Sequence, residues 1–297
     1  MEGPQIVFVT GLGRSGTTLL QNMLAAHSQI HFPPETHFFK RYLLPRLLNR
    51  QAPGLKELAV DSYFHRLPQE KQDFILTHNP KNLEHWRALF LEIMRGKREP
   101  VLGDKDNEYV RYVPQLARLF PGALLVHLVR NPFNVLASRR KAEWGKHRSV
   151  AFHAAEYRYY ISRLRAEGPR YFGSRYIEFS YESLLKNPEA RLAPLLRQFG
   201  LHFEAEMLDF HHKAQELVAD DERTWKDNLR KPLQEDDPYR WRESLREQEV
   251  ALVQKGLEDF FTQYHYEQVT EKPALDAWLR SRVIERAFQW KTCKESL

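Results

Sequence analysis

Apolar residues recur along this chain at two periods, one of strands and one of helices. Ile6-Val-Phe-Val-Thr10 is a run of strand formers that meets a glycine-bearing loop, Gly11 to Thr18, and then the helical pattern of Leu19 to His27. This predicts a strand over 6–10, a helix over 17–27 and a short strand over 29–32, closed by Pro33-Pro34. From Phe38 to Arg98 the pattern is helical, broken at Pro45, Pro53-Gly54, Pro68 and Asn79-Pro80. Val101-Leu102 reads as a further strand that ends at Gly103-Asp104-Lys105. Leu124 to Val129 is apolar throughout except for His127, as a central parallel strand should be. Asn131 is placed to cap the next helix and Pro132 to open it.

Downstream, helices are predicted over 133–146, 151–167, 182–199, 239–264 and 274–290, with a strand over 176–179. Strands alternating with helices predict an α/β fold, a P-loop-type parallel sheet flanked by helices on both faces. The whole chain is expected to be one domain, with a helical insertion at about 38–100 covering the sheet's carboxyl edge and a helical C-terminal region at about 200–297.

Composition adds little to this picture but removes several classes. With 297 residues and 42% hydrophobic content the chain can build a full core, so wholesale disorder is excluded. The single cysteine, Cys293, rules out a disulfide framework or a cysteine metal cluster within one chain. The first residues lack a basic n-region, and no segment has the apolar length of a membrane span, so a soluble, cytoplasmic protein is expected. The net charge of +6 is spread among 39 acidic residues with no long Lys/Arg block, which argues against nucleic acid and fits a small polyanionic ligand equally well.

The loop after the first strand is the first candidate site. A strand, a tight loop and a helix N-terminus gather backbone N–H groups on one point, and the helix dipole favours an anion there. Gly11 and Gly16 have Walker A spacing, but Thr17 stands where an ATP or GTP site places its lysine, and the basic residue, Arg14, lies inside the loop. In a doubly wound sheet ligands bind beyond the carboxyl ends of the strands. Those ends deliver Gly13, Arg14, Ser15, Gly16, Thr17 and Thr18, then Glu35, Lys105, Arg130 and Tyr181 to one rim. The flanks of Lys105, Asp104 and Asp106, also permit a plain surface ion pair. His37, two residues beyond Glu35, is a second candidate base. His31, His127 and the His211-His212 pair have no metal-ligand partners at a recognisable spacing, so no metal is expected.

On these residues the chain resembles the sulfotransferases that use 3′-phosphoadenosine 5′-phosphosulfate (PAPS). Gly13-Arg-Ser-Gly-Thr-Thr18 is similar to the family's 5′-phosphosulfate loop, and Val129 to Ser138 to its 3′-phosphate motif, in which Arg130 and Ser138 would grip the nucleotide. Gly103-Asp-Lys105, Tyr181 to Pro188 and Trp241 to Leu245 also resemble family segments, so the likeness runs to about Tyr266. Glu35 falls where the tyrosylprotein and related bacterial branches keep a catalytic glutamate, and the histidine motif of the small-molecule branch has no counterpart. Asn131 and Asn134 stand where many relatives carry Asp, a departure expected to affect capping more than phosphate binding.

The resemblance implies sulfuryl transfer from PAPS to a hydroxyl or amine, with PAP as product. Glu35 would be the base, Arg14 and Lys105 would stabilise the departing phosphate, and Tyr181 would contact adenine. The acceptor class stays open among small molecules, lipids, glycans and peptides, and so does the oligomeric state. The insertion's aromatics (Phe38, Phe39, Tyr42, Tyr63, Phe64 and Trp86) are expected to shape the acceptor pocket. Two rival readings remain, a P-loop small-molecule kinase and a non-catalytic nucleotide-binding module. The first needs a lysine at Thr17 and an Mg²⁺ carboxylate.

Overall fold

The computed structural model describes residues 4–211 and 237–296, with side chains to 293. Its frame is a five-stranded sheet whose order is β2-β3-β1-β4-β5. The strands are β1 (Gln5–Thr10), β2 (Ile30–His31), β3 (Val101–Lys105), β4 (Leu124–Val129) and β5 (Tyr176–Ser180), and every pairing is parallel. The middle strand is β1 rather than β4, which lies between β1 and β5.

Each interior strand divides its side chains between two cores, as the period of two requires. Ile6 and Phe8 of β1 and Leu125 and Val129 of β4 enter one core. Val7, Val9, Leu124, Val126 and Leu128 enter the other. Helix α1 (Thr17–Ala25) follows the β1 loop and packs on the second face with Leu19, Leu20, Met23 and Leu24.

Between β2 and β3 the chain is helical: a π-helical turn Phe39–Leu43, then α2 (Leu44–Leu47), α3 (Leu55–Ala59), α4 (Gln69–Leu76) and α5 (Leu83–Met94). Five of the insertion's six aromatics go to the core. Phe38, Phe39, Tyr42, Phe64 and Trp86 are buried, and the Phe38 and Phe90 rings stack at 5.6 Å, with Phe90 reaching Phe8 of β1 at 6.4 Å. Burying one such ring contributes about 2 kcal/mol, which is why they go to the core. Tyr63 alone of the six stays half-buried, beside His37.

Helix α6 (Val113–Leu119), which the sequence pattern did not single out, joins β3 to β4. Next come α7 (Pro132–Lys141), α8 (Val150–Phe172), α9 (Tyr181–Lys186) and α10 (Pro188–Arg197). The helix expected over 182–199 is split in two at Asn187-Pro188, where Pro188 takes the first position of the second helix, the place its missing N–H is tolerated best. That expected over 239–264 is a 3₁₀ turn Arg240–Glu243, then α11 (Glu247–Gln254) and α12 (Glu258–Gln263), before α13 (Leu275–Ser296) closes the described chain.

Asn131 caps α7 as expected, its side chain accepting from the Phe133 N–H at 2.9 Å. Asn134 does something else. It donates to the Asp237 and Pro238 carbonyls at 3.4 and 3.3 Å and accepts from the Trp241 N–H at 3.2 Å, which holds the Arg240–Glu243 turn on α7. An aspartate could not donate to those carbonyls.

Candidate active site

The β1 register sets the rim. Val9 lies opposite Lys105, and Thr10 lies opposite His127, so β1, β3 and β4 end side by side. Gly11 leaves β1 where a Cβ would fall 2.4 Å from the Leu128 carbonyl oxygen, so only glycine lets the loop pass this close to β4. Gly16 ends the loop with φ of 93°, in the left-handed region, and a Cβ there would strike the Tyr181 ring at 2.3 Å. Helix α1 then begins at Thr17, with Thr18 half-buried in its first turn. The hydroxyl of Ser15 is fully buried in the loop and has no partner of its own.

Three guanidinium groups gather on this loop. Arg14 donates its Nε–H to Ser138 Oγ at 2.9 Å, and Arg130 donates to the Arg14 carbonyl at 3.1 Å. Arg139 donates to the Gly13 carbonyl at 3.1 Å and is held by Glu156 at 2.6 Å. Burial, then the charges of Arg130 and Arg139, depress the pKa of Arg14. Like charges are this close where an anion is to be shared among them. The Arg130 guanidinium also lies 4.5 Å from the centre of the Tyr181 ring. Tyr181 therefore walls the loop between Gly16 and Arg130, and the half-exposed Trp144 lies beside Gly13 with the Arg139 guanidinium 5.6 Å from its ring centre.

The second half of the rim is acid–base chemistry. Lys105, at the end of β3, is buried and its ammonium is bonded to the Glu35 carboxylate, so it is no surface ion pair with Asp104 or Asp106. His37 has φ of 51° and directs Nδ1 to Asp106 Oδ2 at 2.8 Å, while Nε2 lies 3.8 Å from Glu35 Oε1. A carboxylate can only accept, so the Nδ1 proton points at Asp106. Burial works against a protonated His37, but its bond to Asp106 and the charges of Asp106 and Glu35 outweigh it, and the pKa is raised. Behind them Asp104 accepts from the Tyr109 hydroxyl and is pushed up to about 7, first by burial, then by the charges of Asp106 and Glu35.

The two halves are joined through the chain after β3. Thr17 donates its hydroxyl to Asn107 Oδ1 at 2.9 Å, and Thr10 donates to the Asp106 carbonyl at 2.9 Å. The structure thus brings Arg14, Arg130, Ser138 and Tyr181 into one cluster and Lys105, Glu35 and His37 into another, with the loop between them. Asp106, Asn107, Arg139 and Trp144 were missed in the sequence. Two of them follow a recognised motif residue directly, Asp106 after Lys105 and Arg139 after Ser138, and Asn107 is one place further on.

Glu35, His37 and Asp106 hold ligand atoms within 4.8 Å of one another, a spacing that suits a divalent ion. The Lys105 ammonium already bonded to Glu35 opposes a second cation there. His31 Nδ1 bonds the Met94 carbonyl at 2.8 Å, and His127 Nδ1 bonds Tyr176 and Glu178 at 2.8 and 2.9 Å. His212 lies outside the described residues. A cleft of about 440 Å³ lies along Ile30 to Pro34, lined also by Arg66 and Lys71. Among the described residues no helix is long and apolar enough to cross a membrane.

Comparison with known proteins gives the same assignment as the loop. An uncharacterised protein of Aquifex aeolicus is 26% identical over 214 residues, covering 69% of this chain and 26% of that protein. Protein-tyrosine sulfotransferase A of Caenorhabditis elegans is 26% identical over 263 residues, covering 82% of this chain and 63% of the relative. This chain thus spans less than two thirds of either relative's length. The sulfotransferase domain of the Synechococcus PCC 7002 olefin synthase shares the fold, with a TM-score of 0.57 and 19% identity over 95% of both chains. A second sulfotransferase domain, from the curacin biosynthetic pathway, does so at 0.53 and 17% identity, covering 97% of this chain and 99% of that one. The sulfotransferase-family model matches residues 4–205, from the first strand to beyond the last, and the chain belongs to that family.

Proposed function

We propose that this chain transfers the sulfuryl group of PAPS to a hydroxyl or amine of an acceptor by in-line displacement at sulfur. The observation that carries the reading is the 2.9 Å bond between Arg14 and Ser138, with Arg130 closed on the Arg14 carbonyl. It joins the anion loop after β1 to the helix after β4, and a ribose with phosphates at both ends needs two adjoining anion sites. The unpartnered Ser15 hydroxyl and the crowded guanidinium groups fit such a ligand. PAPS is the donor the family implies, and Trp144 offers the kind of ring face on which its adenine can stack.

In the reaction the acceptor oxygen bonds to sulfur as the bond from sulfur to the 5′-phosphate oxygen breaks. Glu35 accepts the acceptor's proton, and PAP leaves with the electron pair. Arg14, Lys105 and the loop N–H groups stabilise the charge on that phosphate, each donor worth about 3 kcal/mol of barrier on typical magnitudes. An ammonium has three donors, so Lys105 can hold Glu35 and reach the leaving oxygen together. These cations supply the positive charge that Mg²⁺ supplies in kinases.

The 2.8 Å bond from His37 to Asp106 favours a second reading, in which His37 Nε2 is the base. The cleft beside Pro33 and Pro34 is the proposed acceptor entry, because Arg66 both lines it and stacks on Tyr63, whose ring edges His37. The acceptor stays open among small molecules, lipids, glycans and peptides. The name of the Caenorhabditis relative makes a tyrosyl hydroxyl one class to include.

The test is a screen of phenols, tyrosyl peptides, glycans and hydroxylipids with ³⁵S-labelled PAPS. Label on an acceptor, with PAP released, supports the proposal. Transfer from ATP instead favours the kinase, and PAP binding without any transfer favours the binding module.

A further inference from the structure

One peptide unit at the rim is held at both ends. The Arg130 carbonyl accepts from the Tyr157 hydroxyl of α8 at 2.5 Å, and the Asn131 N–H donates to Glu182 Oε1 of α9 at 2.9 Å. Both groups belong to the single peptide that joins Arg130 to Asn131. It lies beyond β4, which ends at Val129, and before α7, which starts at Pro132. Backbone groups at such a junction fall outside the strand ladder and the helix, and must be met in another way. Here side chains from two other helices meet them. A peptide bonded through both its C=O and its N–H cannot turn without giving up one of the bonds.

The supports are held in their turn. Tyr157 is buried and meets the Phe260 ring edge to face at 6.2 Å. Glu182 Oε2 accepts from the Tyr266 hydroxyl at 2.8 Å, and the Tyr266 N–H donates to the Phe261 carbonyl at 2.9 Å. Tyr266 belongs to the C-terminal region, beyond the residues 4–205 that the family model matches. The residue before Glu182 is Tyr181, whose ring centre is 4.5 Å from the Arg130 guanidinium. Two consecutive residues of α9 thus fix the two ends of Arg130, Tyr181 its guanidinium and Glu182 its backbone. The guanidinium stands at the tip of a long side chain, so a small turn of that backbone displaces it by more.

We infer that Tyr157 and Glu182, with Tyr266 behind them, are positioning residues that set Arg130 for a phosphate on the 3′ oxygen of the ribose, a role that rests on the proposed PAPS reading. They act through the Arg130–Asn131 peptide, which they hold in place before the nucleotide arrives.

The experiment is calorimetric titration of the full chain with PAP and with adenosine 5′-phosphate, which lacks the 3′-phosphate. The variants are Tyr157→Phe, Glu182→Ala, Glu182→Gln and Arg130→Ala, with the first two also placed on Arg130→Ala. Tyr157→Phe and Glu182→Ala should each weaken PAP by about tenfold, the scale of one lost hydrogen bond at a charged site. Adenosine 5′-phosphate should stay within about twofold of wild type, as for independent groups. Glu182→Gln should restore PAP affinity, because its amide oxygen accepts from the Asn131 N–H and its NH₂ donates to the Tyr266 hydroxyl. On Arg130→Ala neither change should weaken PAP further, the mark of residues that act through that arginine. Tyr157→Phe removes a single atom and carries the test if Glu182→Ala does not fold. Equal losses for the two nucleotides overturn the inference, since the residues then only support the fold. Additive losses on Arg130→Ala overturn it as well. A loss in Arg130→Ala with none in Tyr157→Phe or Glu182→Ala overturns the positioning role alone. Wild-type PAP affinity in Arg130→Ala overturns the 3′-phosphate reading itself.

Discussion

Arg14 and Ser138, 124 residues apart, share a 2.9 Å hydrogen bond that ties the anion loop to the helix behind the neighbouring strand. Arg130 adds a second tie at the Arg14 carbonyl. The two proposed anion sites would then act as one preorganised unit, and losing either arginine should weaken nucleotide binding as a whole. Arg14→Ala and Arg130→Ala should each weaken PAP by about tenfold to a hundredfold, the range for a hydrogen bond to a charged group. Titration calorimetry checks this, and unchanged affinity in Arg130→Ala removes the 3′-phosphate assignment.

The loop's two inner glycines should respond differently. Gly16→Ala meets both a left-handed backbone and the Tyr181 ring, so it should cost about 1–3 kcal/mol and abolish PAP binding. At Gly13 the nearest atom to an added Cβ is Trp144 at 3.5 Å, an ordinary contact. Gly13→Ala should leave thermal stability within about 0.5 kcal/mol of wild type. Parallel thermal melts distinguish the two.

Asn134 should not tolerate replacement by an acid. Asn134→Asp sets a carboxylate against the Asp237 and Pro238 carbonyls and should cost about 1–2 kcal/mol by loosening the Trp241 turn. Denaturant unfolding measures it, and an unchanged midpoint removes the docking role.

Asp104 carries a pH signature. Its folded pKa is raised to about 7 from an ordinary 3.8, mainly by burial. Between those values the folded protein keeps a proton that the unfolded chain has lost, so this group makes stability fall as pH rises through that window. Asp104→Asn keeps an acceptor for Tyr109 and should be more stable than wild type at pH 8 by about 2 kcal/mol. The difference should vanish near pH 4. A constant difference across that range contradicts the assignment.

Much of this was legible in the sequence because the information is local. A strand, two glycines and a helix make an anion loop wherever they occur, and Arg130 follows a strand too apolar to be anything but interior. Side-chain partnerships across the sheet were not legible. Nothing in Asp106 or Asn107 announces that one orients His37 and the other holds Thr17, since the first bond depends on how β2 pairs with β3 and the second on how β1 does. The insertion's aromatics were misjudged for a related reason. Phe38, Phe39 and Tyr42 have the spacing of a buried helical face, and a core and a pocket use the same residue types. Continuous helices were overread at 182–199 and 239–264, where Pro188 and the loops before Glu247 and Glu258 divide them.

The most direct test compares Glu35→Gln and His37→Gln with wild type in two readings, PAP affinity and the rate of ³⁵S transfer to an acceptor found in the screen. Glutamine keeps the shape of Glu35 and a partner for Lys105 but cannot take a proton. The account predicts that Glu35→Gln binds PAP as wild type does and transfers sulfate at least about a hundredfold more slowly. Near-wild-type transfer by Glu35→Gln, with the loss appearing in His37→Gln instead, contradicts it.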